Sequence, residues 1–184
     1  MAAPSAFWSR WRVRVGYPLA LIFLWLARPT PLSLLIGGSV AALGVLIRGA
    51  AAGYLRKHEA LAVAGPYART RNPLNFGSAF LATGVAAAGH SWLAAGLLVA
   101  YFLLFYPAVM KREEEELRAH YGRTFEEYAA RVPLFWPRLG RAAESSSPEA
   151  QFSWALYRRN REYRALIGVL GSLLLVWLRM RWPG

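Results

Sequence analysis

Two short stretches of this 184-residue chain carry the residue types that bind and react. The first runs Gly65-Pro66-Tyr67-Ala68-Arg69-Thr70-Arg71-Asn72-Pro73-Leu74-Asn75-Phe76-Gly77. The second is Glu113-Glu114-Glu115-Glu116-Leu117, followed by Tyr121-Gly122, Tyr128, Arg131-Val132-Pro133 and Pro137. In helical phase, Met110, Glu113, Glu114, Leu117 and Tyr121 share a face that is apolar except for the two carboxylates. A carboxylate at a membrane boundary needs a cationic partner, either an arginine or a ligand. The plainer alternative is a solvated acidic collar paired with Lys111 and Arg118. Arg71 and Arg131, if they converge, would grip a carboxylate or phosphate through two parallel N–H bonds. Otherwise they only add to the basic surface.

Asn72 before Pro73 marks a helix start, with Asn72 as N-cap and Pro73 at the first helical position. The free N–H groups of that first turn, beside Asn75, attract an anion such as an amino-acid carboxylate. Gly77, one turn on, admits close approach of a ligand or of another helix. Tyr67, Tyr121 and Tyr128 offer rings on which an adenine could stack, or serve as interfacial aromatics.

Composition removes other chemistries. There is no Cys, so disulfides, thiolate zinc and a Cys nucleophile are excluded. His58, His90 and His120 lie far apart, and no metal site is expected. The net charge of +12 could suggest nucleic acid, but the distribution of charge points elsewhere.

The elements that position these residues are apolar blocks. Residues 15–27, 32–47, 76–89, 92–109 and 165–178 carry no charge and are apolar all round. A chain of this length cannot bury five such helices, so an all-α polytopic membrane protein with about five spans is expected. Most blocks fall short of the roughly 20 residues that cross hydrocarbon, the first and last most doubtfully. All Lys and Arg except Arg28, Arg179 and Arg181, and all ten acids, fall on one side of this topology. The positive-inside rule puts that side, with the N-terminus and both long loops, in the cytoplasm. The basic excess thus reads as membrane orientation, and nucleic acid is not an expected partner. The Ala/Arg bias suggests a bacterial inner membrane. The first block lacks a clear cleavage site and reads as an uncleaved anchor. Arg28-Pro29-Thr30-Pro31 and Gly89-His90-Ser91 are tight external turns, the second closing a helical hairpin. That hairpin returns the chain to one membrane face, so the two reactive stretches can meet there. Residues 1–141 are expected to form the core, with its motifs in 65–137. Residues 142–184 read as a linker, an interfacial segment and a last hydrophobic helix.

The ordered set Gly-Pro-Tyr, Arg-Asn-Pro-x-x-x-Gly, a hairpin, Glu-Glu-x-x-Leu, Gly-x-x-Phe-x-x-Tyr and Arg-Val-Pro resembles the isoprenylcysteine carboxyl methyltransferase and phospholipid methyltransferase group. The resemblance implies an integral membrane enzyme moving a methyl group from S-adenosylmethionine (SAM) to a lipophilic acceptor, a prenylcysteine-type carboxylate or a phospholipid-type amine. It implies SAM contacts from Pro66, Tyr67, Asn72, Pro73, Asn75, Gly77, Glu113, Glu114, Tyr121 and Tyr128. Arg71, Arg131 and Glu114 would serve the reacting end. Three positions depart from the group's usual residues: Asn72 for His, Asn75 for Tyr and Leu134 for Arg. Two other readings compete. Sterol-reductase-type enzymes share an Arg-x-Pro and Tyr-Gly pattern but bind NADPH, whose phosphates the Glu run would repel. A degenerate relative would act as a membrane scaffold without turnover.

Overall fold

A computed structural model describes residues 4–57, 59–140 and 151–182, with side chains from residue 14 onward. The expected linker at 142–151 lies, except for Gln151, outside the described residues. Every regular element among the described residues is helical. They are α1 (Pro4–Leu26), α2 (Pro31–Ala52), a 3₁₀ turn (Gly65–Ala68), α3 (Pro73–Gly89), α4 (Trp92–Tyr121), α5 (Arg123–Ala129), α6 (Trp154–Arg159) and α7 (Tyr163–Arg181).

Three helices, α2, α4 and α7, are long and apolar enough to cross a membrane. The apolar part of α1, Arg14–Leu26, is shorter. With 17 residues, α3 reaches only about 26 Å against about 30 Å of hydrocarbon. The expected five spans therefore resolve into three full-length helices and two short ones. The last block turns out long enough, because α7 takes in Tyr163 and Arg164 before it and Arg179–Arg181 after it. Exposed large side chains such as Leu21, Trp25, Leu35, Leu46, Leu103 and Leu170 cover the outside. Within α2 and α3 the buried positions are mostly Ala and Gly. Lipid is as apolar as leucine, so close packing of small residues holds such a bundle together. This is an integral membrane protein.

Local signals set the helix ends. Thr30 and Ser33 form a reciprocal capping box, with Thr30 Oγ1 accepting from Ser33 N (3.1 Å) and Ser33 Oγ accepting from Thr30 N (2.9 Å). Between α3 and α4 the left-handed residue is His90 (φ 49°) rather than the glycine beside it. Gly89 stays helical because it packs under Phe23, whose Cζ would lie 2.5 Å from an added Cβ. Ser91 then caps α4, accepting from Ala94 N at 3.4 Å. At the far end of α4, Gly122 (φ 51°) is both its C-cap and the N-cap of α5. Its positive φ allows the chain to turn in one residue.

The layout is compact around α2 and α3, which cross at glycines. Helix α1 lies along α4, and α7 packs on α2 and α3. A small cluster of Phe23, Ala88, Ala94 and Val176 fills the end remote from the long loops.

Candidate active site

The loop before α3 and the loop after α5 are laced together. Arg71 N donates to Pro133 O (2.9 Å), and Arg138 N donates to Arg69 O (2.9 Å). The buried Thr70 hydroxyl lies 3.0 Å from Phe135 O and 3.2 Å from Leu134 O. Asn72 Nδ2 also donates to Leu134 O (3.1 Å). Asn72 is the N-cap residue of α3 but makes no side-chain cap bond, because its amide is used in this lacing. Its own N–H donates to Thr70 Oγ1 at 3.3 Å. Tyr128, on α5, donates its hydroxyl to Tyr67 O (2.8 Å). These bonds bring Gly-Pro-Tyr, Arg-Asn-Pro and Arg-Val-Pro together: each supplies one edge of the same junction.

The junction delivers Arg71 to the Glu run. Arg71 Nε and Glu114 Oε1 are 2.9 Å apart, with side chains 16% and 19% exposed. Arg71 Nη1 donates to Ala129 O (3.2 Å). The Nε–Oε1 approach is close but off the N–H direction, and neither atom has a hydrogen-bond partner. The pair is thus a Coulombic contact with one unused donor and one unused acceptor. Beside it, Asn75 Nδ2 lies 3.1 Å from Asn72 Oδ1 and 3.2 Å from Glu113 Oε2. Arg71, Asn72, Asn75, Glu113 and Glu114 therefore converge where α3 begins and α4 leaves the bilayer. The exposed carboxylate of Glu113, beside the Asn75 amide, suits a ligand bearing hydroxyls or an ammonium group.

Other sequence candidates are placed differently. Arg131 is exposed, and its Nε donates to Glu127 O (3.0 Å) within its own turn. Among the described residues no hydrogen bond or ion pair joins it to Arg71 or Glu114. Tyr121 makes its ring contact with His120 (4.6 Å between centroids). Gly77 faces α2, where an added Cβ would meet Arg48 Cγ at 2.6 Å and Gly44 O at 3.0 Å. Pro66 lies second in the 3₁₀ turn, and its carbonyl accepts from Arg69 N (3.1 Å) and Thr70 N (3.2 Å). Pro73 is fully buried at the first turn of α3. Tyr67 and Tyr128 are 7% and 5% exposed, so they form the wall of the junction rather than a platform.

Burial pushes both tyrosine hydroxyls above the ordinary value near 10. For Tyr67, the neighbouring Tyr128, Glu113 and Glu162 add to the rise and Arg48 opposes it. For Tyr128, Arg71 opposes the rise and Glu114 adds to it. The unfolded chain loses these protons from about pH 10 while the folded chain keeps them. Stability contributed by the two groups is therefore intact below about pH 10 and falls above it, by up to about 1.4 kcal/mol per pH unit per tyrosine. Thermal unfolding in detergent between pH 8 and 11.5 should show this break, and Tyr67→Phe should soften it. A steady decline beginning near pH 8 would contradict the assignment.

A second polar cluster was not legible in the sequence. Arg48, near the end of α2, pairs with the buried Glu162 just before α7. Its Nη1 donates to Ser78 Oγ (2.5 Å) and Leu74 O (3.2 Å) on α3. The sequence signal is slight: Arg48 is a lone charge at the end of its apolar run, and Glu162 is a single acid among the arginines of 158–164.

Known proteins give this geometry a setting. A family model described as phospholipid methyltransferase matches residues 32–124, half of the chain. The cobalt-zinc-cadmium resistance protein CzcN of Cupriavidus metallidurans is 34% identical over 136 residues, covering 70% of this chain and 62% of that protein. The nickel-cobalt-cadmium resistance protein NccN of Alcaligenes xylosoxydans xylosoxydans is 37% identical over 84 residues, covering 46% of this chain and 39% of that protein. The chain thus spans less than two thirds of either relative. No solved structure matches it. The matched stretch holds both ends of the Arg71–Glu114 and Asn75–Glu113 contacts, and the chain belongs to the phospholipid methyltransferase family.

Proposed function

We propose that the protein is a SAM-dependent methyltransferase acting on a lipophilic acceptor from within the membrane. The observation that carries this reading is the overlap of the family match with the residues the fold gathers, Arg71, Asn72, Asn75, Glu113 and Glu114. Glu113 with Asn75, and Glu114 with Arg71, would hold the cofactor's polar ends, backed by the 66–77 stretch. SAM supplies a methyl carbon on a sulfonium: the acceptor atom bonds that carbon while the C–S bond breaks and its electron pair stays on sulfur. The protein's part is to orient the partners and exclude water. The buried walls at Tyr67, Tyr128 and Phe125 do the second. Arg71 stands at the reacting end, while Arg131 is turned to its own helix.

The one-sided distribution of charge supports an orientation with this site on the cytoplasmic face, and the Ala/Arg bias supports a bacterial inner membrane. The relatives are named for metal resistance, and we read the chain's contribution to such a setting as acting on membrane lipid.

Calorimetry on the full chain in lipid nanodiscs tests the proposal. Saturable binding of SAM, with none of NADPH, is expected. Binding of NADPH alone would move the chain to the reductase reading. A folded protein that binds neither would support the scaffold.

A further inference from the structure

The corner that leads into α7 holds more cations than acids. Residues 158–164 read Arg-Arg-Asn-Arg-Glu-Tyr-Arg and join the end of α6 to the start of α7. Arg159 pairs with Glu59, and Glu162 is taken by Arg48. Among the described residues, the ion pairs leave out Arg158, Arg161 and Arg164, and all three are exposed. The main chain gathers them. Arg161 N donates to Arg158 O (3.0 Å), and Arg164 N donates to Arg161 O (3.0 Å). Turns closed in this way keep the Cα atoms of each bonded pair within about 7 Å. Three like charges this close repel one another, and an anion lying over them relieves the repulsion.

The backbone at Arg161 is strained. Its φ of 55° is left-handed. Glu162 N donates to Tyr157 O (3.4 Å) just as Arg161 N donates to Arg158 O, so α6 ends in a Schellman turn. Arg161 stands where such a turn usually has glycine, and an arginine there costs conformational energy that glycine would not. The turn itself needs no guanidinium. It is held from both sides, because Asn160 Nδ2 donates to Ala52 O (3.0 Å) and Leu55 O (2.8 Å), and the buried Glu162 pairs with Arg48. Membrane orientation needs only a count of cations, which a relaxed neighbour can carry as well. A strained arginine between two unpaired ones points to a charge used at that spot.

The surroundings set the depth of the cluster. The uncharged run of α7 begins directly after Arg164, and Ile167, Leu170 and Leu174 are exposed along it. Trp154 and Tyr163, exposed beside the arginines, are residue types that settle at the level of lipid headgroups. Cations at headgroup level above an apolar helix face match a lipid with an anionic head and acyl chains.

We propose that the α6–α7 corner binds an anionic phospholipid of the leaflet beside the long loops. Its phosphodiester is held by Arg158, Arg161 and Arg164, and its acyl chains lie along the outer face of α7. The lipid is a bound partner rather than a methyl acceptor, and the site does not depend on the methyltransferase reading. All three arginines lie outside the stretch that the family model matches.

The test uses the full chain in nanodiscs made from equal amounts of phosphatidylcholine and phosphatidylglycerol with the same acyl chains. Native mass spectrometry reads which lipid stays on the ejected protein. Phosphatidylglycerol should be retained about tenfold over phosphatidylcholine, and a variant combining Arg158→Gln, Arg161→Gln and Arg164→Gln should bring that ratio near one. A second triple variant, Arg112→Gln, Arg118→Gln and Arg123→Gln, removes the same charge from exposed pairs on α4 and α5 and should keep the preference. Arg161→Gly separates binding from folding. It should cut the preference about fivefold, the share of one arginine at an anionic surface. Its unfolding temperature in pure phosphatidylcholine nanodiscs should hold or rise, because glycine relaxes the turn. A fall in that temperature with the preference intact would give Arg161 a structural role only and overturn the proposal. Equal retention of the two lipids by the wild-type chain, or equal loss of preference in both triple variants, overturns it as well.

Discussion

Replacing Glu114 by alanine should cost roughly 2–4 kcal/mol of stability and abolish SAM binding. The Arg71 guanidinium is 16% exposed and has Glu114 as its ion partner. Removing one member of a largely buried pair strands the other, and that penalty exceeds the net value of the pair. Arg71→Ala should cost a similar amount for the mirrored reason. The double variant should then be less destabilised than the two losses combined, by about 1–3 kcal/mol, because neither charge is left alone. Glu115→Ala is the control. It lies in the same acidic run but is exposed, and it should behave as wild type in both respects. Thermal unfolding in detergent and calorimetric titration with SAM provide the two readouts. If Glu114→Ala matched Glu115→Ala in both, the acidic run would be only a solvated collar. Loss of SAM binding at undiminished stability would place Glu114 on the ligand and leave Arg71 without a structural need for it.

What could be read from the sequence, and what could not, follows from the range of the forces involved. The hairpin, the caps at Thr30 and Ser91 and the one-residue turn at Gly122 are written within a few neighbouring residues, so their signals are local. Both Arg71 and Arg131 sit two residues before a proline, and nothing nearby tells them apart. The difference is tertiary. Arg71 N is bonded to Pro133 O, which sets its side chain against α4, while Arg131 closes back on Glu127 O. The turn at Gly89-His90-Ser91 shows the same dependence on tertiary contact. Glycine is the usual left-handed residue, but here it is used for contact with Phe23, and His90 takes the strained conformation. Least legible was Arg48 with Glu162, which are 114 positions apart. Neither belongs to a motif, and Glu162 lies beyond the family match. Through Arg48, Glu162 ties the C-terminal segment to α2 and α3.

A single methyl group at Gly84 should be among the most damaging changes the membrane region can suffer. Helices α2 and α3 touch backbone to backbone. A Cβ at Gly84 would intrude on Ala41 N, and would lie 2.6 Å from Gly37 O and 2.8 Å from Ala41 Cα. At Gly37, a Cβ would collide with Ala88 N and Gly84 O, and at Gly44 it would lie 2.7 Å from Gly77 O. Main-chain atoms cannot swing aside as a side-chain tip can, so the helices must separate. Gly84→Ala should cost about 3 kcal/mol or more, at the top of the range for overpacking. Gly96→Ala meets nothing within 4 Å and should be neutral or slightly stabilising through helix propensity, by about 0.5–1 kcal/mol. Unfolding temperatures of the two variants in one detergent decide the matter, and equal temperatures would refute the packing account. The same seam carries a polar contact, in which Arg48 crosses from α2 to Ser78 and Leu74 on α3. Gly77→Ala presses on Arg48 Cγ rather than wholly on backbone, so it should unfold the protein far less than Gly84→Ala. It should still shift the guanidinium that bonds Ser78 and Leu74. A Gly77→Ala variant that unfolds as readily as Gly84→Ala would show that the Arg48 side chain is as unyielding there as main chain.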